Sequence, residues 1–340
     1  MGVKRVKKKL PLAATFFVVA LVTFLLSWTD SFPRRIVENA YSRRVFPTIS
    51  HVFGMMSGAL SISWLDIWIL VSIAVLIYVV SRRRWRLLLP IVSLAYLWFF
   101  WGWGLNYHRL PLAERLHLDS TQLTPEDFQR FGELAAVEMN RLWSVTSKLP
   151  PLDRETASAL SSKRVERVIR QIDGIDWATA TRVKRSILAQ IWYQSAGIDG
   201  MFNPFGHEPL VIEGPLPFEL PFLMSHEIAH VRGVANEGEA NLVAWLATVA
   251  SDDPRFQYSG WLYLWEYLRT PSSKLDPGPR ADLAAARERV LRHQIRLVSQ
   301  FQASLLDVHL KANAVPGGIR SYSDFVAQAI ASRPRWQDFQ

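Results

Sequence analysis

Apolar residues concentrate in the first 107 positions of the chain, where they form three long runs. The runs cover residues 10–28, about 62–80 and 87–107, and each is close to the roughly 20 residues that an α-helix needs to cross a bilayer. The one charge inside them, Asp66, lies near an end of its run, where a carboxylate can reach the headgroup region. The pattern predicts a membrane anchor of three transmembrane helices over residues 1–107.

The flanks of these runs add detail to the predicted anchor. A basic start precedes the first run, as in a signal peptide, but the run is long for one and lacks a small-residue cleavage site, which favours a retained helix. Residues 29–61 are expected to form a loop whose apolar piece, 51–60, lies along the membrane interface. Aromatic residues late in the third run are typical of an interfacial belt; they are Tyr96, Trp98, Trp101, Trp103 and Tyr107.

From residue 108 onward the spacing of apolar residues is mostly helical. Thr124 and Pro125 open a helix predicted to reach about residue 145, because Thr is a preferred N-cap and Pro is favoured at the first helical position. The β-branched run 209–212 predicts a strand, either an ordinary one or an edge strand that pairs with an extended substrate. The domain 108–340 is therefore expected to be mainly helical with a small sheet. Further helices are predicted over 161–172, 221–232, 236–249, 261–268, 280–312 and 322–331.

The strongest chemical signal is the pentad H-E-I-A-H at 226–230. On a helix His226 and His230 are four residues apart, so both imidazoles project from one face. Glu227 lies beside them. The arrangement supplies two nitrogen ligands for a zinc ion and a carboxylate near its remaining coordination position. His207 and Glu208, adjacent on a predicted loop, are interpreted as surface polar groups and not as ligands.

Two glutamates after the pentad compete for the place of third ligand. Gly233 is expected to end the motif helix and Asn236 to cap a second one. Glu239, three residues after this cap, is placed to fold back onto it in a capping box. Glu237 is then free to reach the metal, with Asn241 one turn further on to hold a ligand from behind. The alternative for Glu237 is a purely electrostatic role in the first helical turn.

The net charge of the chain is +9, which is compatible with binding to a nucleic acid or to a membrane. The positions of the basic residues decide between these two partners. Two acid-free clusters equal the whole excess, and both flank apolar runs, as basic residues do on the cytoplasmic side of transmembrane helices. A lipid bilayer is therefore predicted as a partner, nucleic acid is not, and buried helices of a soluble core are disfavoured. The chain has no cysteine, which excludes thiolate metal sites. The cluster residues are Lys4, Arg5, Lys7, Lys8, Lys9, Arg82, Arg83, Arg84 and Arg86.

Several stretches carry a family resemblance: W-G-L-N-Y at 103–107, G-I-D-G-M-F-N-P-F at 197–205 with Glu208, H-E-I-A-H at 226–230 with Gly233 and E-G-E-A-N at 237–241, D-P-R-F-Q-Y-S-G at 253–260, and L-K-A-N at 310–313 with G-I-R-S-Y at 318–322. They resemble a family of bacterial membrane proteins catalogued as a domain of unknown function with a zincin-type HExxH site. More distantly, E-G-E-A-N is similar to the E-x-x-A-D helix of membrane gluzincin peptidases. The resemblance implies a zincin-like fold and makes Glu237 the third zinc ligand, although Asn241 replaces the aspartate of that motif and the spacer is shorter.

Together these features predict a multi-pass protein of the bacterial cytoplasmic membrane, mainly α in class, with a zincin-like α+β domain outside the cytoplasm. Zn²⁺ bound by His226, His230 and Glu237, with Glu227 as general base, would hydrolyse a peptide or protein substrate. Tyr258 is a candidate hydrogen-bond donor to the tetrahedral intermediate. Two alternatives stay open: a zinc-binding sensor or scaffold without turnover, and a metal-free structural protein. The sequence does not specify the oligomeric state.

Overall fold

Helices make up most of the structure, a computed structural model that describes residues 12–177, 181–268, 270–313, 315 and 325–339. Two strands, β1 Gly200–Asn203 and β2 Glu208–Val211, form a small sheet, and Val37–Val45 is π-helical. The mainly helical fold with a small sheet agrees with the prediction. The α-helices are α1 Leu12–Trp28, α2 Arg34–Ile36, α3 Phe46–Gly58, α4 Trp64–Ser81, α5 Leu88–Gly102, α6 Leu112–Arg115, α7 Pro125–Thr146, α8 Arg154–Asp173, α9 Gln190–Ala196, α10 Leu220–Val231, α11 Glu237–Val249, α12 Pro254–Trp265, α13 Pro277–His293, α14 Arg296–Ala312 and α15 Phe325–Ser332. Short 3₁₀ segments are Trp85–Leu87, Gly104–His108, Ser272–Lys274 and Arg333–Phe339.

Two helical stretches are long and apolar enough to cross a membrane, Trp64–Ser81 and Trp85–Gly102. Only 11% of the residues in either stretch are buried. The structure supports two of the three predicted spans: α1 is apolar but has 17 described residues and is shorter than either of these stretches. Residues 1–11, with the basic cluster and the beginning of the first predicted span, lie outside the described residues.

The third predicted span ends at Gly102 and not at residue 107. Trp103 and Tyr107 follow in a tight turn and point into the domain. The Trp103 indole N–H donates to the His230 carbonyl at 2.8 Å, and the Tyr107 hydroxyl is 3.4 Å from His309 Nε2. The polar atoms of buried Trp and Tyr need partners, and these partners lie in the domain. Neither residue therefore belongs to an interfacial belt.

The segment between the first two apolar runs is helical and not the predicted loop. α3 has a proline in its first turn, where the missing N–H leaves no helical bond unmade. One of its faces packs on the domain: the Ser50 hydroxyl donates to the Val231 carbonyl at 3.2 Å, and Phe53 stacks on His207 with ring centroids 5.6 Å apart. The same helix leaves Met55 exposed. The position of this segment is therefore determined by contacts with residues far away in the chain, which its short apolar pattern did not indicate.

α4 leaves the domain from two buried carboxylates. Glu208 accepts a hydrogen bond from the Leu65 N–H at 2.8 Å and lies 3.2 Å from Lys184 Nζ. Asp66 accepts from the Ile187 N–H at 3.0 Å. Carboxylates at a helix N-terminus satisfy its free N–H groups and complement its dipole. Both residues are thus buried structural groups, whereas Glu208 was expected on the surface and Asp66 among headgroups.

The predicted helices of the domain are confirmed where capping signals mark them. α7 begins after Thr124, as predicted, and the structure adds a capping box between Thr124 and Asp127. α8 includes the helix predicted over 161–172 but is longer. α15 corresponds to the helix predicted over 322–331, although residues 316–324, with the resembling stretch 318–322, lie outside the described residues.

Two predicted helix boundaries within the domain are wrong. The helix predicted over 261–268 is α12, which begins seven residues earlier because Asp253 caps it and a proline occupies its first turn. The long helix predicted over 280–312 is two helices, α13 and α14. They are separated at Ile295, whose N–H donates to the Ser195 carbonyl at 2.8 Å, which ties this break to α9.

The core lies where α7, α8, α10 and α12 surround α11. Leu242, Trp245 and Leu246 of α11 are fully buried. Phe131 of α7 and Trp261 of α12 pack edge-on against Trp245, with centroids 6.1 Å and 5.7 Å away. A helix that is apolar all round belongs inside a domain, and its burial fixes the position of α10 beside it.

β2 lies inside the small sheet and β1 forms its edge. The strands are antiparallel, with Met201 opposite Leu210. On its other side β2 is bonded to Lys184, whose N–H donates to the Pro209 carbonyl at 2.9 Å. The strand predicted over 209–212 is confirmed with a shift of one residue. The edge position that suits substrate pairing belongs to β1, in a region where the sequence left helix and strand open.

Candidate metal centre

α10 and α11 form a helical hairpin with a tight turn. Gly233, in the turn, has a φ of +79°, in the left-handed region that glycine tolerates. A Cβ there would come within 2.7 Å of the Phe46 ring. Asn236 then caps α11 by accepting a hydrogen bond from the Glu239 N–H at 3.2 Å. The predicted division of this stretch into two helices is confirmed.

The three side chains assigned to a metal from the sequence converge between the two helices. The Nε2 atoms of His226 and His230 are 3.2 Å apart, and Glu237 Oε2 lies 3.2 Å from the first and 3.4 Å from the second. Two ligand atoms of a tetrahedral zinc ion, each about 2.0–2.1 Å from the metal, stand roughly 3.3–3.4 Å apart. The three donor atoms therefore fit a zinc ion in spacing, and two imidazoles with a carboxylate fit it in chemistry.

The protonation states of the cluster also suit metal ligands. Burial opposes the charge of Glu237, but the two imidazoles hold the pKa of this carboxyl well below its usual range. Burial lowers the pKa of His226. Burial also opposes a charge on His230, yet the Glu237 carboxylate outweighs it and raises the pKa of His230 to about 9. At neutral pH the metal-free cluster thus pairs a carboxylate with an imidazolium, and a divalent cation would replace that proton.

Neighbouring groups orient the two imidazoles. His230 Nδ1 is 2.7 Å from the Val234 carbonyl and donates to it, which directs Nε2 towards the centre. The fully buried side chain of Asn241 is near His226 and Tyr267, although among the described residues neither of its amide atoms makes a hydrogen bond. Asn241 therefore lies behind a candidate ligand, where the sequence predicted it.

Glu239 points away from the centre. Its Oε1 accepts a hydrogen bond from the Leu112 N–H at 2.7 Å, and its Oε2 lies 3.7 Å from Arg115 Nη2. The carboxylate thus serves the first turn of α6 and not the Asn236 cap, so the expected capping-box role is wrong. The competition between the two glutamates is resolved in space, with Glu237 alone at the cluster.

Glu227 occupies a confined position beside the cluster. Its side chain is buried, and among the described residues its Oε2 has no hydrogen-bond partner. Burial raises the pKa of Glu227 to about 8. The backbone of β1 passes directly against it: a Cβ on Gly200 would lie 2.5 Å from Glu227 Oε1. Only glycine leaves room for both the strand and the carboxylate.

The free edge of β1 runs along this carboxylate. Pro209 has no N–H, and its carbonyl accepts from Lys184, so the pair Phe202–Pro209 makes no bonds across the hairpin. Because antiparallel ladders alternate bonded and non-bonded pairs, the backbone N–H and C=O groups of Gly200 and Phe202 point away from β2. Gly200 and Phe202 line the cavity in front of Glu227, and from the pairing of β1 we infer that these groups are open to pairing with an extended backbone.

A cavity of about 760 Å³ reaches the cluster. His226, Glu227, His230 and Glu237 line it, together with β1 and parts of α1, α5 and α14. A cleft of this size can hold a peptide segment or a drug-sized ligand. The apolar helices of the predicted anchor therefore contribute walls to the candidate site.

The sequence did not assign functional roles to three residues near the centre. Tyr107 and His309 line the cavity, and burial together with the Glu237 charge raises the pKa of the Tyr107 hydroxyl, which keeps it a donor. The Trp103 indole supports the His230 carbonyl. The signal that could have found two of them is W-G-L-N-Y at 103–107, one of the stretches that carry the resemblance.

A buried ion cluster supports the hairpin turn from behind. Arg109 bonds Glu38 at 2.9 Å and Asp173 at 3.0 Å, and its Nη1 donates to the Gly233 carbonyl at 3.2 Å. Arg115 lies 2.7 Å from the same Asp173. Removing one partner of such a cluster leaves a buried charge uncompensated. The turn between the candidate ligands is therefore tied to α8 and to the π-helical segment.

Tyr258 is not near the metal cluster. Its hydroxyl donates to Asp282 Oδ2 at 2.7 Å, and the residue lines a separate cavity beside Trp143 and Arg255. The suggested role as donor to a reaction intermediate is therefore wrong. The aromatic pattern of its segment reflects packing of α12 on α7.

His207 is buried, contrary to the expectation of a surface group. Its ring packs among Phe46, Phe53 and Phe202. Burial lowers the pKa of His207 to about 4, so the imidazole is neutral at pH 7. It supports the loop between β1 and β2 and is not one of the converging ligands.

Comparisons with known proteins give a family and no function. No curated protein and no solved structure matches the chain. Residues 41–330, most of the chain, match the family described as "Protein of unknown function (DUF3810)". The matched range contains all the candidate metal ligands, β1 and the helices around them. The chain belongs to this family.

Proposed function

We propose that this protein is a membrane-anchored, zinc-dependent peptidase with a zincin-like catalytic site. His226, His230 and Glu237 bind Zn²⁺, and Glu227 is the general base. The observation that carries the proposal is the convergence of three donor atoms at 3.2–3.4 Å beside a buried carboxylate. A bound zinc ion supplies a lowered pKa for a water molecule and polarisation of the scissile carbonyl.

The residues of the chain supply positioning and proton transfer. The pKa of about 8 is that of Glu227 in the metal-free site. A zinc ion beside the carboxyl would favour its ionised form, in which the unpartnered Oε2 takes a proton from water and passes it to the leaving amine. Gly200 and Phe202 hold the substrate backbone extended along β1, which aligns one peptide bond with the cluster. The Tyr107 hydroxyl, kept protonated, is a donor in the same cavity. The overall reaction adds water across an amide and gives a carboxylate and an amine.

The membrane arrangement follows from charge. We assign the hinge between α4 and α5, with its arginines at 82–86, to the cytoplasmic face. The ends of α1 and α5 and the beginning of α4 meet the domain. On this assignment the domain would lie on the opposite, extracytoplasmic side of a bacterial inner membrane.

Zinc content and turnover test this function together. The full chain, purified in detergent, is expected to bind one zinc ion, and Glu227→Gln to retain zinc while losing cleavage of a mixed peptide library by about 10²–10⁴-fold, the usual contribution of a general base. Metal is measured by elemental analysis and cleavage by mass spectrometry.

Two results would contradict the proposal. Absence of bound zinc would favour a structural protein in which the pentad is coincidental. Bound zinc without Glu227-dependent cleavage would favour the non-catalytic sensor or scaffold.

A further inference from the structure

The cavity in front of the metal cluster extends down the apolar helices. α5 contributes Val92 and Phe99 to its wall, and α1 contributes Phe24. At about 1.5 Å per residue, Val92 lies roughly 15 Å along the helix from Gly102, where α5 meets the domain. The hydrocarbon of a bilayer is about 30 Å thick, so this wall reaches towards its middle.

α14 closes the cavity with an amphipathic helix. Leu305 and His309 line the cavity. Next to them around the helix, Leu297, Phe301 and Val308 are 78%, 56% and 63% exposed. These three residues recur at helical spacing on one face, and no described part of the chain covers them. α14 touches α1, because the Ser27 hydroxyl of α1 donates to the carbonyl of Ala312, the last residue of α14. The uncovered face of α14 therefore continues the apolar surface of the predicted anchor.

A second uncovered patch marks the level of the membrane. Ile187 and Ile191 are 73% and 76% exposed. The N–H of Ile187 donates to Asp66 in the first turn of α4, so this patch lies where α4 leaves the domain. Exposed apolar surface of this kind marks contact with a membrane or a protein. Continuity with α4 identifies the bilayer as the covering.

We propose that α14 and the patch formed by Ile187 and Ile191 lie in the membrane leaflet next to the domain, and that the cavity opens laterally into the bilayer. The substrate is then an apolar polypeptide segment inserted in the membrane. The inference rests on the proposed peptidase function and names its substrate class. The reaction consumes one water and one peptide bond and releases a carboxylate and an amine, and no other reactant is needed.

The edge strand favours a polypeptide over a lipid as occupant. Gly200 and Phe202 present backbone donors and acceptors to the same cavity. An extended polypeptide offers the matching series of N–H and C=O groups, whereas an acyl chain offers none. A helical substrate segment must unwind locally to pair with this edge, and it then loses hydrogen bonds of its own helix. The hydrocarbon of the bilayer cannot replace them, but backbone pairing with β1 can.

Photo-crosslinking tests the substrate class without relying on turnover. The full zinc-loaded chain with Glu227→Gln carries a photoreactive phenylalanine analogue at position 305, on the cavity side of α14. It is reconstituted in phosphatidylcholine vesicles. One probe is a biotinylated peptide with about 20 apolar residues, which spans the bilayer, and the other is a water-soluble peptide of equal length. The control carries the analogue at position 300, on the polar face of the same helix.

We expect position 305 to capture the inserted peptide at least about tenfold more than the soluble peptide, and more than position 300 does. Capture of the phospholipid alone would overturn the proposal in favour of a lipid site. Equal capture of the two peptides would overturn it in favour of access from water. Whether the protein is a peptidase at all is tested separately, by the zinc content of the unsubstituted chain and by its cleavage of peptides.

Membrane immersion of α14 is tested independently of any ligand. The chain has no cysteine, so Phe301→Cys and Gln300→Cys give single labelling sites on adjacent residues. With a spin label in vesicles, position 301 is expected to be more accessible to oxygen and position 300 to a water-soluble nickel complex. The reverse order, or identical values, would contradict the proposal.

Discussion

Glu237 and Glu239 are two residues apart on α11, yet their carboxylates have unrelated partners. Glu237→Ala is expected to lower the zinc content of the purified protein severely. Glu239→Ala is expected to retain zinc but to lose about 1–3 kcal/mol of unfolding free energy, because the Leu112 N–H loses its acceptor in a buried place. Elemental analysis and thermal unfolding of both variants separate the two effects. Loss of zinc only in Glu239→Ala would reverse the assignment.

His207 is expected to make stability depend on pH. Burial lowers its pKa to about 4, whereas in the unfolded chain it is about 6.5. Between these values only the unfolded state binds the proton, so stability falls as pH decreases from about 6.5 to about 4, by up to ~3 kcal/mol. In His207→Asn, which tolerates the left-handed backbone at this position, this component disappears.

Denaturation midpoints of the two proteins from pH 7.5 to 4 measure the effect. The stability of the wild type relative to His207→Asn should decrease across that interval. A constant difference would show that the imidazole titrates in the folded protein as it does in water.

At this scale, contacts within one helix could be predicted and contacts between distant segments could not. The spacing of His226 and His230 fixes their common face because helix geometry is local. Trp103 supports His230 from 127 positions away, and nothing in its own neighbourhood distinguishes it from a residue of the membrane interface. Tyr107 was misjudged for the same reason.

Among the elements, β1 carries the clearest test of geometry. In Gly200→Ala the new Cβ would lie 2.5 Å from Glu227 Oε1, so the strand or the carboxylate must move. Zinc is expected to stay bound, while peptide cleavage falls by about 10²-fold, the effect of misplacing a catalytic group by roughly 1 Å. Cleavage rate and metal content are measured on the same preparation.

Gly58→Ala is the matched control, since a Cβ there meets nothing within 4 Å. It should leave both zinc and cleavage unchanged. If the two variants behave alike, the close passage of β1 against Glu227 has no role in activity.

Helix starts were more predictable than helix ends and breaks. Thr124 and Asn236 were found because a cap satisfies N–H groups within its own turn. The break between α13 and α14 depends on the Ser195 carbonyl of α9, so no local residue announces it. α3 was missed because its packing on α10 is also long-range, and the π-helical segment was missed because its Glu38 pairs with the distant Arg109.

For the whole molecule, topology is the property that labelling can establish. Arg84→Cys lies at the hinge between α4 and α5, and Arg130→Cys lies on α7, with a side chain that is 72% exposed. In spheroplasts, a membrane-impermeant maleimide is expected to label position 130 at once and position 84 only after permeabilisation. The opposite pattern would put the domain in the cytoplasm and contradict the orientation drawn from the basic residues.

The separation into an anchor, 1–107, and a domain, 108–340, follows from composition but describes the fold incompletely. Apolar runs show which residues can enter lipid, and that much was predictable. They do not show that Glu38, before the second run, pairs with Arg109 at the beginning of the domain. The sequence around a charged residue does not show which distant residue it pairs with.

Glu208 has a practical consequence for handling this protein. One carboxylate joins the first turn of α4, through Leu65, to the amide of Asn203 at the end of β1. A fragment that begins after α4 would contain Glu208 and Lys184 without most of their polar partners, which lie at residues 57–65. The predicted anchor is thus a supporting part of the strand that faces Glu227. In the proposed membrane arrangement, the choice of detergent or bilayer thickness would therefore be a variable of any assay of this site.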